Sequence, residues 1–437
     1  MVFRYMNFQR KLWWAQHKND VYKYGTILSL VLIVTISIIY FTYSKFTSTN
    51  EATAYETTVE PFIKNDYFIA SYVDGVWSDT IPGKDDGYVV DKIVCDNGAT
   101  ATWDDEEWGI NVRNATQKIK CSVYFIVKPI YLRNTIQELA ATDTTNFATD
   151  DPDNNIRYIG ADPNNYVYFN CDDYSKQSDS TCEKWRVIGI FKNITKEDGS
   201  IEDLIKLIRN DNTCYAYYGT ITWENSNIQK LLNSGAYYNR TSSGNVGTIG
   251  HYDFTKNGLK NDLTKNSIQS VVWNLGGISG SDTQRTATAE KFYNGERSDS
   301  VYSTNPATWT GKIALMYPSD YGYATAGGSV TNRETCLSTS LYSWDGSSVS
   351  DCSDNDYLYN ADDEWTLTYN SNCSASAFQR SYKQIIDGKM EQLNGAWVCG
   401  QNIVNPSRIR PSLYLKSNIS ISGGDGSSSS PYQLKLQ

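Results

Sequence analysis

The stretch TWENSNIQKLLNSGAYYN, residues 222–239, is the most informative segment of this 437-residue chain about its fold. After a Trp-Glu pair, Ile228, Leu231 and Leu232 recur at the spacing that places apolar side chains on one face of a helix. Gly235 follows and is a typical helix end. The stretch therefore predicts a short helix with one buried face.

Trp223 and Glu224 precede this helix and could lie at the edge of a binding site. Trp223 is expected to pack inwards with the apolar face of the helix. Glu224 lies near the positive end of the helix dipole, where a carboxylate is favoured. Packing and helix electrostatics account for both residues, so the stretch predicts a fold more than an activity.

Segments typical of strands lie upstream of the helix. NYVYFN and WRVIGIF are predicted strands, and the loop between them can be closed by Cys171 and Cys182. LIKLIRN fits helix and strand equally well on periodicity. These segments, with the short runs after Trp309 and the final RIRPSLYLK, predict an α+β domain with few helices.

A second helix is predicted for NSIQSVVWNLGG, residues 266–277. Its apolar residues Ile268, Val271, Val272 and Leu275 follow helical spacing, and a glycine follows as a stop signal.

The motifs WRV, TWENSNIQKLLN, EWTLT and RPSLYL occur in an order that resembles one bacterial family. It is a domain of unknown function on surface proteins, whose fold is similar to C-type lectins and formylglycine-generating enzymes. The resemblance covers about 280 residues and implies a C-type-lectin-like domain. The motif positions taken as fold markers are Trp185, Trp223, Glu224, Leu231, Asn233, Arg410 and Pro411.

The resemblance does not bring an oxidase activity with it. Formylglycine-generating enzymes use a close pair of reactive cysteines, and no two cysteines lie that close in the relevant part of this sequence. Cys373 and Cys399 are more simply a structural disulfide.

The N-terminal region predicts a membrane anchor. Residues 24–43 contain no charged residue, and about 20 apolar residues are what a membrane-spanning helix needs. Residues 1–23 carry five basic residues and one acidic residue, a net +4, which leaves −14 of the total −10 for the rest of the chain. The basic flank predicts a cytoplasmic N-terminus. The alternative is a signal peptide cleaved after Ala54.

The chain beyond the anchor divides into a stalk, a small domain and a large domain. The small domain contains short β-rich runs such as YFIASYV and KCSVYFIV and is predicted to be all-β and sandwich-like. The predicted parts are a cytoplasmic tail (1–23), a transmembrane helix (24–44), a stalk (45–62), a small β domain (63–128), a connection (129–156) and the C-type-lectin-like domain (157–437).

All nine cysteines fall on the predicted outer side, where an oxidising compartment favours disulfides. Proximity in sequence suggests four pairs and leaves Cys214 over, which could join two copies of the chain. The suggested pairs are Cys95–Cys121, Cys171–Cys182, Cys336–Cys352 and Cys373–Cys399.

Asp151, Asp153 and Asn155 have the alternating spacing of oxygen ligands, with Asp162 at the twelfth position. These four residues are the candidate calcium ligands, although Ile156 stands where an EF-hand needs glycine. No other cofactor is expected.

Histidines are scarce, which limits catalytic chemistry. Only His17 and His251 occur, and a Ser-His-Asp triad would have to use His251, which has no nucleophile-elbow pattern around it. A surface or packing role is expected for it.

The sequence thus predicts a non-catalytic bacterial surface protein that binds a glycan, a cell-wall component or a protein. The alternatives are an exported polysaccharide hydrolase, which needs two facing carboxylates, and a structural surface-layer component. The acidic outer part, without a basic stripe, disfavours a nucleic-acid partner.

Overall fold

The protein is described by a computed structural model that covers most of the chain from Tyr67 onwards. Ten residues between 17 and 35 are also described, and all ten are helical. The described ranges are 67–114, 118–217, 223–242, 251–278, 286–299, 306–344, 348–359, 364–370 and 407–436, with residue 248 and the pairs 382–383, 385–386 and 389–390.

The predicted anchor, residues 24–44, lies largely outside these ranges, as do the predicted tail and stalk. Within the described part of the chain, no helix is both long enough and apolar enough to cross a membrane. The described apolar side chains of the anchor segment are exposed to solvent; they are Tyr24, Ile27, Leu30, Val31, Ile33 and Val34.

The chain forms two units, residues 1–128 and 129–437. The division falls where the small β domain was expected to end. Both units are built mainly from strands, and the described helices are short and few. The predicted mixture of helix and sheet is confirmed at this level.

The first unit contains a four-stranded sheet in the order β2-β1-β6-β3, in which β1 and β6 run parallel. A separate hairpin, β4–β5, covers one face of this sheet, where Trp103 lies edge-on to Phe125 with ring centroids 5.3 Å apart. The strands are β1 (Tyr67–Val73), β2 (Val76–Ser78), β3 (Tyr88–Cys95), β4 (Thr100–Asp104), β5 (Gly109–Arg113) and β6 (Ile119–Val127).

The second unit is organised around an eleven-stranded sheet. Its main path runs β14-β25-β12-β11-β10-β27-β26-β7, with β18 paired to β25, and β9 paired to both β11 and β8. The strands of this sheet are β7 (Ile130–Tyr131), β8 (Phe147–Ala148), β9 (Ile156–Tyr158), β10 (Tyr166–Phe169), β11 (Glu183–Thr195), β12 (Ile201–Arg209), β14 (Ile268–Gln269), β18 (Ile313–Leu315), β25 (Pro411–Leu415), β26 (Ser420–Gly423) and β27 (Tyr432–Lys435).

Smaller β elements and short helices complete the second unit. The remaining strands are β13 (Cys214–Ala216), β15 (Val271–Asn274), β16 (Gly277–Ile278), β17 (Thr308–Gly311), β19 (Glu364–Trp365), β20 (Tyr369–Asn370), β21 (Tyr382–Lys383), β22 (Ile385–Ile386), β23 (Lys389–Met390) and β24 (Ser407–Ile409). The helices are α1 (Leu132–Ala140), α2 (Asn227–Asn233), α3 (Ala236–Asn239), α4 (Phe254–Asn257), α5 (Asp262–Ser267), α6 (Ala289–Glu296), α7 (Pro318–Gly322), α8 (Arg333–Ser338) and α9 (Asp351–Asp354), with 3₁₀ turns at Trp223–Asn225 and Leu341–Ser343.

The two predicted strands upstream of α2 are confirmed as β10 and β11, and the ambiguous LIKLIRN forms most of β12. A run from Trp185 to Phe191 is buried on both faces of the sheet, which explains why its sequence is nearly continuously apolar rather than alternating. The central strands β11 and β12 therefore lie in the core, and other elements of the unit pack on both faces of β11.

The predicted α2 is also confirmed, with Ile228, Leu231 and Leu232 buried. The hydroxyl of Ser226 accepts a hydrogen bond from the backbone NH of Gln229 at 3.0 Å and caps the helix N-terminus. A Cβ at Gly235 would lie 2.8 Å from the carbonyl oxygen of Lys230, so the chain can leave the helix this tightly only with glycine.

The helix predicted for residues 266–277 is wrong. The helix α5 ends at Ser267, and β14 and β15 follow. In β15 Val271 and Trp273 are buried while Val272 and Asn274 are half-exposed, a period of two that belongs to a strand. The β-branched valines pair with β17, and this tertiary pairing outweighs the helical spacing.

The predicted connection, residues 129–156, is not a linker. Leu132 and Ile136 of α1, together with Phe147, are buried in the core of the second unit. Because the apolar face of α1 packs into this core, the otherwise polar segment is part of the domain.

Three of the four suggested disulfides are present: Cys95–Cys121, Cys171–Cys182 and Cys336–Cys352. Cys373 and Cys399 lie outside the described residues. Cys214 is a free thiol but is buried, and burial raises its pKa to about 12. This burial disfavours the hypothesis that Cys214 joins two copies, because the thiol has little access to a second chain.

Candidate functional site

A cavity of about 170 Å³ opens in the second unit between β11, β15 and α6. An engineered cavity of about 150 Å³ is known to admit benzene, so this space fits one six-membered ring. Five aromatic residues form its walls and are themselves almost fully buried, which makes the pocket pre-formed. The aromatic wall residues are Phe191, Trp273, Tyr293, Tyr317 and Tyr414.

A β-bulge in β11 shapes one side of this pocket. The pairing of β11 with β12 slips between Phe191 and Ile194, and Asn193 adopts a positive φ of 54°. The backbone NH of Asn193 donates to the Asp203 carboxylate at 3.0 Å, which holds the bulge. A bulge turns side chains away from the regular sheet and is common beside functional sites. Here it brings Lys192 to the pocket wall.

The end of α6 contributes Tyr293 and Arg297, four residues apart and therefore neighbours on the helical face. The guanidinium carbon of Arg297 lies 3.3 Å from the centroid of the Tyr293 ring. This stacking holds the arginine at the pocket, where 21% of its side chain remains exposed. Arg297 is thus a positioned cation that solvent and ligand can reach.

Polar groups of the loop before β9 complete the lining. The Tyr293 hydroxyl donates to the Asp153 carboxylate at 2.5 Å, and the Asn155 amide donates to the Tyr293 oxygen at 2.9 Å. Arg297 Nε lies 3.7 Å from the same carboxylate of Asp153. The pocket therefore combines aromatic walls with a carboxylate, amides and a guanidinium.

A buried network of charges adjoins the aromatic walls. Lys206 Nζ lies 2.5 Å from one oxygen of Asp320, and Arg157 lies 3.2 Å from the other. Arg157 also pairs with Asp151 at 2.5 Å. All four side chains are nearly inaccessible, and the two cations balance the two anions. Such a network is stable only because each charge has a partner.

The ammonium group of Lys206 lies among four of the five aromatic walls. Its Nζ is 4.4 Å from the Tyr317 centroid and between 5.2 and 5.7 Å from the centroids of Phe191, Trp273 and Tyr414. Burial lowers the pKa of Lys206 to about 8, against the opposing attraction of Asp320. The buried charge network therefore packs directly against the aromatic residues that form the pocket walls.

Glu296, the last residue of α6, is fully buried beside Arg297. Its carboxyl group accepts a hydrogen bond from the Ser319 backbone NH at 3.0 Å and is hydrogen-bonded to the Ser319 hydroxyl. Burial raises the pKa of Glu296 to about 7, because it outweighs the stabilising charge of Arg297 at 3.3 Å. This carboxyl group titrates near neutral pH next to the pocket arginine.

We expect the free energy of unfolding to fall by on the order of 3 kcal/mol as the pH rises from about 4.5 to about 7 because of Glu296 alone. In this window the unfolded chain has released the proton while the folded chain retains it, so a rise in pH favours unfolding. Urea denaturation at several pH values, compared between the native chain and Glu296→Gln, measures the effect. The glutamine variant should lose this dependence; identical pH profiles for the two proteins would contradict the assignment.

The four candidate calcium ligands are not assembled into a metal site. Asp151 accepts hydrogen bonds from Asn155 and Arg157, and Asp153 accepts one from Tyr293. Asp162 instead pairs with Arg186 at 3.1 Å. No group of three or more potential metal-binding side chains occurs among the residues with described positions. The spacing is that of a calcium loop, but the carboxylates of Asp151, Asp153 and Asp162 are partnered by Arg157, Tyr293 and Arg186, respectively.

None of the N-terminal fold markers lines the pocket, and three of them lie in the core. Trp185 and Trp223 are inaccessible, Leu231 is buried, and Glu224 is exposed in the 3₁₀ turn before α2. Asn233 holds α2 to β18, because its amide group both donates to and accepts from the backbone of the same strand residue at 2.8 and 3.0 Å.

The C-terminal fold markers Arg410 and Pro411 are also buried. Arg410 donates to the Glu364 carboxylate at 3.0 Å and to the carbonyl oxygen of Leu358 at 2.8 Å. The arginine of the RPSLYL motif therefore has a structural role.

His251 is exposed, as expected of a surface histidine, and its Nε2 lies 2.5 Å from the Ser242 hydroxyl. The carboxylate of the nearby Asp253 accepts hydrogen bonds from Thr255 and caps α4. Within the described residues no carboxylate is hydrogen-bonded to His251, so the serine and histidine have no third member of a triad there.

Three of the candidate calcium ligands lie at this site, Asp153 and Asn155 in the pocket lining and Asp151 in the charge network, but no sequence pattern indicated the other residues of either. The one available signal was Lys206, a charged residue in the middle of the apolar LIKLI. A lysine at a buried strand position requires a buried anion, but the sequence did not show that Asp320, over a hundred residues later, provides it.

No protein-family model, curated protein or solved structure matches this chain. The resemblance to C-type-lectin-like domains therefore stays a prediction, and the function is inferred from the chemistry of the site.

Proposed function

We propose that this chain is a membrane-anchored extracellular protein with a C-type-lectin-like domain that binds a glycan of the cell surface or cell wall without catalysis. The observation that carries the proposal is the pocket in the second unit, whose volume fits a single ring. The aromatic walls give the pocket an apolar lining for a sugar ring, and Asp153 and Arg297, whose side chains remain partly exposed, offer hydrogen bonds to its hydroxyl groups.

Three disulfides support an extracellular, oxidising location for both units. Attachment by residues 24–44, with the N-terminus in the cytoplasm, follows from the basic flank and the apolar run in the sequence. A protein partner instead of a glycan would be expected to contact a larger and flatter surface than this pocket.

The alternative of a polysaccharide hydrolase has less support. Glycosidases need two carboxyl groups that face each other across the bond to be cleaved. Asp153 is the only carboxylate among the described residues that line the pocket, and its oxygen already accepts a hydrogen bond from Tyr293. A structural surface-layer role would not require a pre-formed pocket at all.

The test is a glycan array probed with the full chain in detergent, followed by calorimetry with the sugars that bind. Val272→Phe is expected to weaken binding at least about tenfold, because Val272 is half-exposed at the pocket wall and the larger ring would occupy the space. Val330→Phe is the matched control, since Val330 is 78% exposed and does not line the pocket.

Calcium and a chelator are expected to give the same affinity, because the pocket lining offers only one described carboxylate. The proposal is overturned if the folded chain binds no glycan, or if Val272→Phe binds as tightly as the native protein. Loss of binding in chelator would show that a cation takes part.

A further inference from the structure

The sheet of the first unit has one covered face and one open face. The β4–β5 hairpin packs on the covered face. Cys121 is buried on this face, and the partly buried Ile69 and Ile93 pack against it. Because neighbouring residues of a strand point to opposite faces, Phe68 and Lys120 belong to the open face. Both are exposed, and they are register partners across β1 and β6.

A row of side chains crosses the open face from edge to edge. Trp77 of β2 pairs with Tyr72 of β1, Tyr72 pairs with Tyr124 of β6, and Tyr124 pairs with Lys92 of β3. Directly paired residues lie on the same face of a sheet. With strands about 4.8 Å apart, the row is about 14 Å long, which exceeds a single ring.

The aromatic rings of this row form a platform. Tyr72 and Tyr124 are stacked with centroids 4.7 Å apart and planes inclined by only 15°. Trp77 at one end is 58% exposed, and Phe68, which lies two rows away on the same face beyond the buried Ala70, is 55% exposed. Soluble proteins seldom expose several large aromatic residues together unless the surface binds something.

Two lysines add positive charge to the platform. Lys92 Nζ lies 4.8 Å from the Tyr124 centroid, and Lys120 Nζ lies 5.7 Å from the Phe68 centroid. Neither ammonium group has a carboxylate within ion-pair distance in the described part of the chain. Both groups are on flexible stems and can exchange their ring contact for an anion of a ligand.

We propose that this face, the platform of Phe68, Tyr72, Trp77, Lys92, Lys120 and Tyr124, binds a linear acidic polysaccharide. The aromatic rings stack on the apolar faces of successive sugar rings, and the two lysines form ion pairs with carboxylates that are sparsely spaced along the polymer. The site is separate from the pocket of the second unit and does not depend on it.

The charge of the chain decides between this ligand and a single-stranded nucleic acid, which also stacks on aromatic rings beside cations. A nucleic acid carries a phosphate on every nucleotide, and this chain carries a net charge of −10, which repels so dense an anion. A polysaccharide with occasional carboxylates can place them at the two lysines and keep its uncharged parts over the rest.

The experiment measures binding of the full chain in detergent to hyaluronan, a linear polysaccharide with a carboxylate only on alternate sugars, with dextran and oligodeoxythymidine as comparison ligands. Hyaluronan is expected to bind, and Trp77→Ala to weaken its binding at least about tenfold. The double variant Lys92→Gln/Lys120→Gln should weaken binding and reduce its dependence on salt. Val76→Ala is the matched control, because Val76 is 70% exposed on the same strand but faces the other side.

Val272→Phe should leave hyaluronan binding unchanged, which separates this site from the pocket. The proposal is overturned by absence of hyaluronan binding, by an unchanged affinity in Trp77→Ala, by equally tight binding of dextran, or by tighter binding of oligodeoxythymidine. The last result would identify a nucleic-acid site instead.

Discussion

Asp320→Asn is expected to lower the free energy of unfolding by about 3–5 kcal/mol. The substitution keeps the shape of the side chain and the oxygen that can accept from the Tyr317 backbone NH, but it removes the negative charge. Lys206 then stays buried without a counter-ion, and Arg157 keeps only Asp151. Urea denaturation followed by circular dichroism measures the loss.

The control variant also removes the positive charge of Lys206, which Asp320→Asn leaves without a counter-ion. In Asp320→Asn/Lys206→Met the methionine fills the space among the aromatic walls without a charge, and the pair of Arg157 and Asp151 remains neutral. The double variant should therefore recover a large part of the lost stability. Equal losses in the single and double variants would mean that packing, and not charge, explains the effect.

Trp223→Ala is expected to destabilise the second unit by about 3–5 kcal/mol, the usual loss when a buried tryptophan is truncated. Trp223 is inaccessible, and its ring meets Trp309 edge-on with centroids 5.7 Å apart. The truncation leaves a cavity between α2 and the strand β17. Its effect is measured as the shift of the urea midpoint at constant slope.

Trp77→Ala provides the same chemical change at an exposed site. Because Trp77 is 58% exposed, its loss should change the stability by no more than about 0.5 kcal/mol. A similar loss in both variants would contradict the structural role assigned to Trp223. The comparison also shows that Trp77→Ala is folded when it is used in binding experiments.

These predictions connect the stability of the second unit to its pocket. Lys206 and Asp320 join the central strand β12 to α7, and the aromatic residues around Lys206 are the pocket walls. A variant that disturbs the charge network is therefore expected to affect the proposed glycan binding through the shape of the walls, even though none of the four charged side chains lines the pocket.

The local elements with strong signals could be predicted from the sequence. The apolar face and glycine stop of α2, the continuous apolar run of β11 and the close cysteine pairs are set by residues near one another in the chain. In each case short-range sterics, burial or loop closure determines the result. The helix expected over residues 266–277 failed because Val271 and Val272 fit helical spacing equally well until β17 pairs with them.

The pocket and the charge network were decided only by tertiary structure. Asp153, Phe191, Trp273, Arg297 and Tyr414 are far apart in sequence and meet because β15 and α6 pack against the central sheet, which contains β11 and β25. The same packing placed Arg157 against Asp151 and the anion for Lys206 on a distant helix. The sequence by itself determined the elements with strong local signals, such as α2, β10 and β11, and which cysteines are near each other. Burial, which acts on residues brought together from distant segments, decided what each charged side chain does.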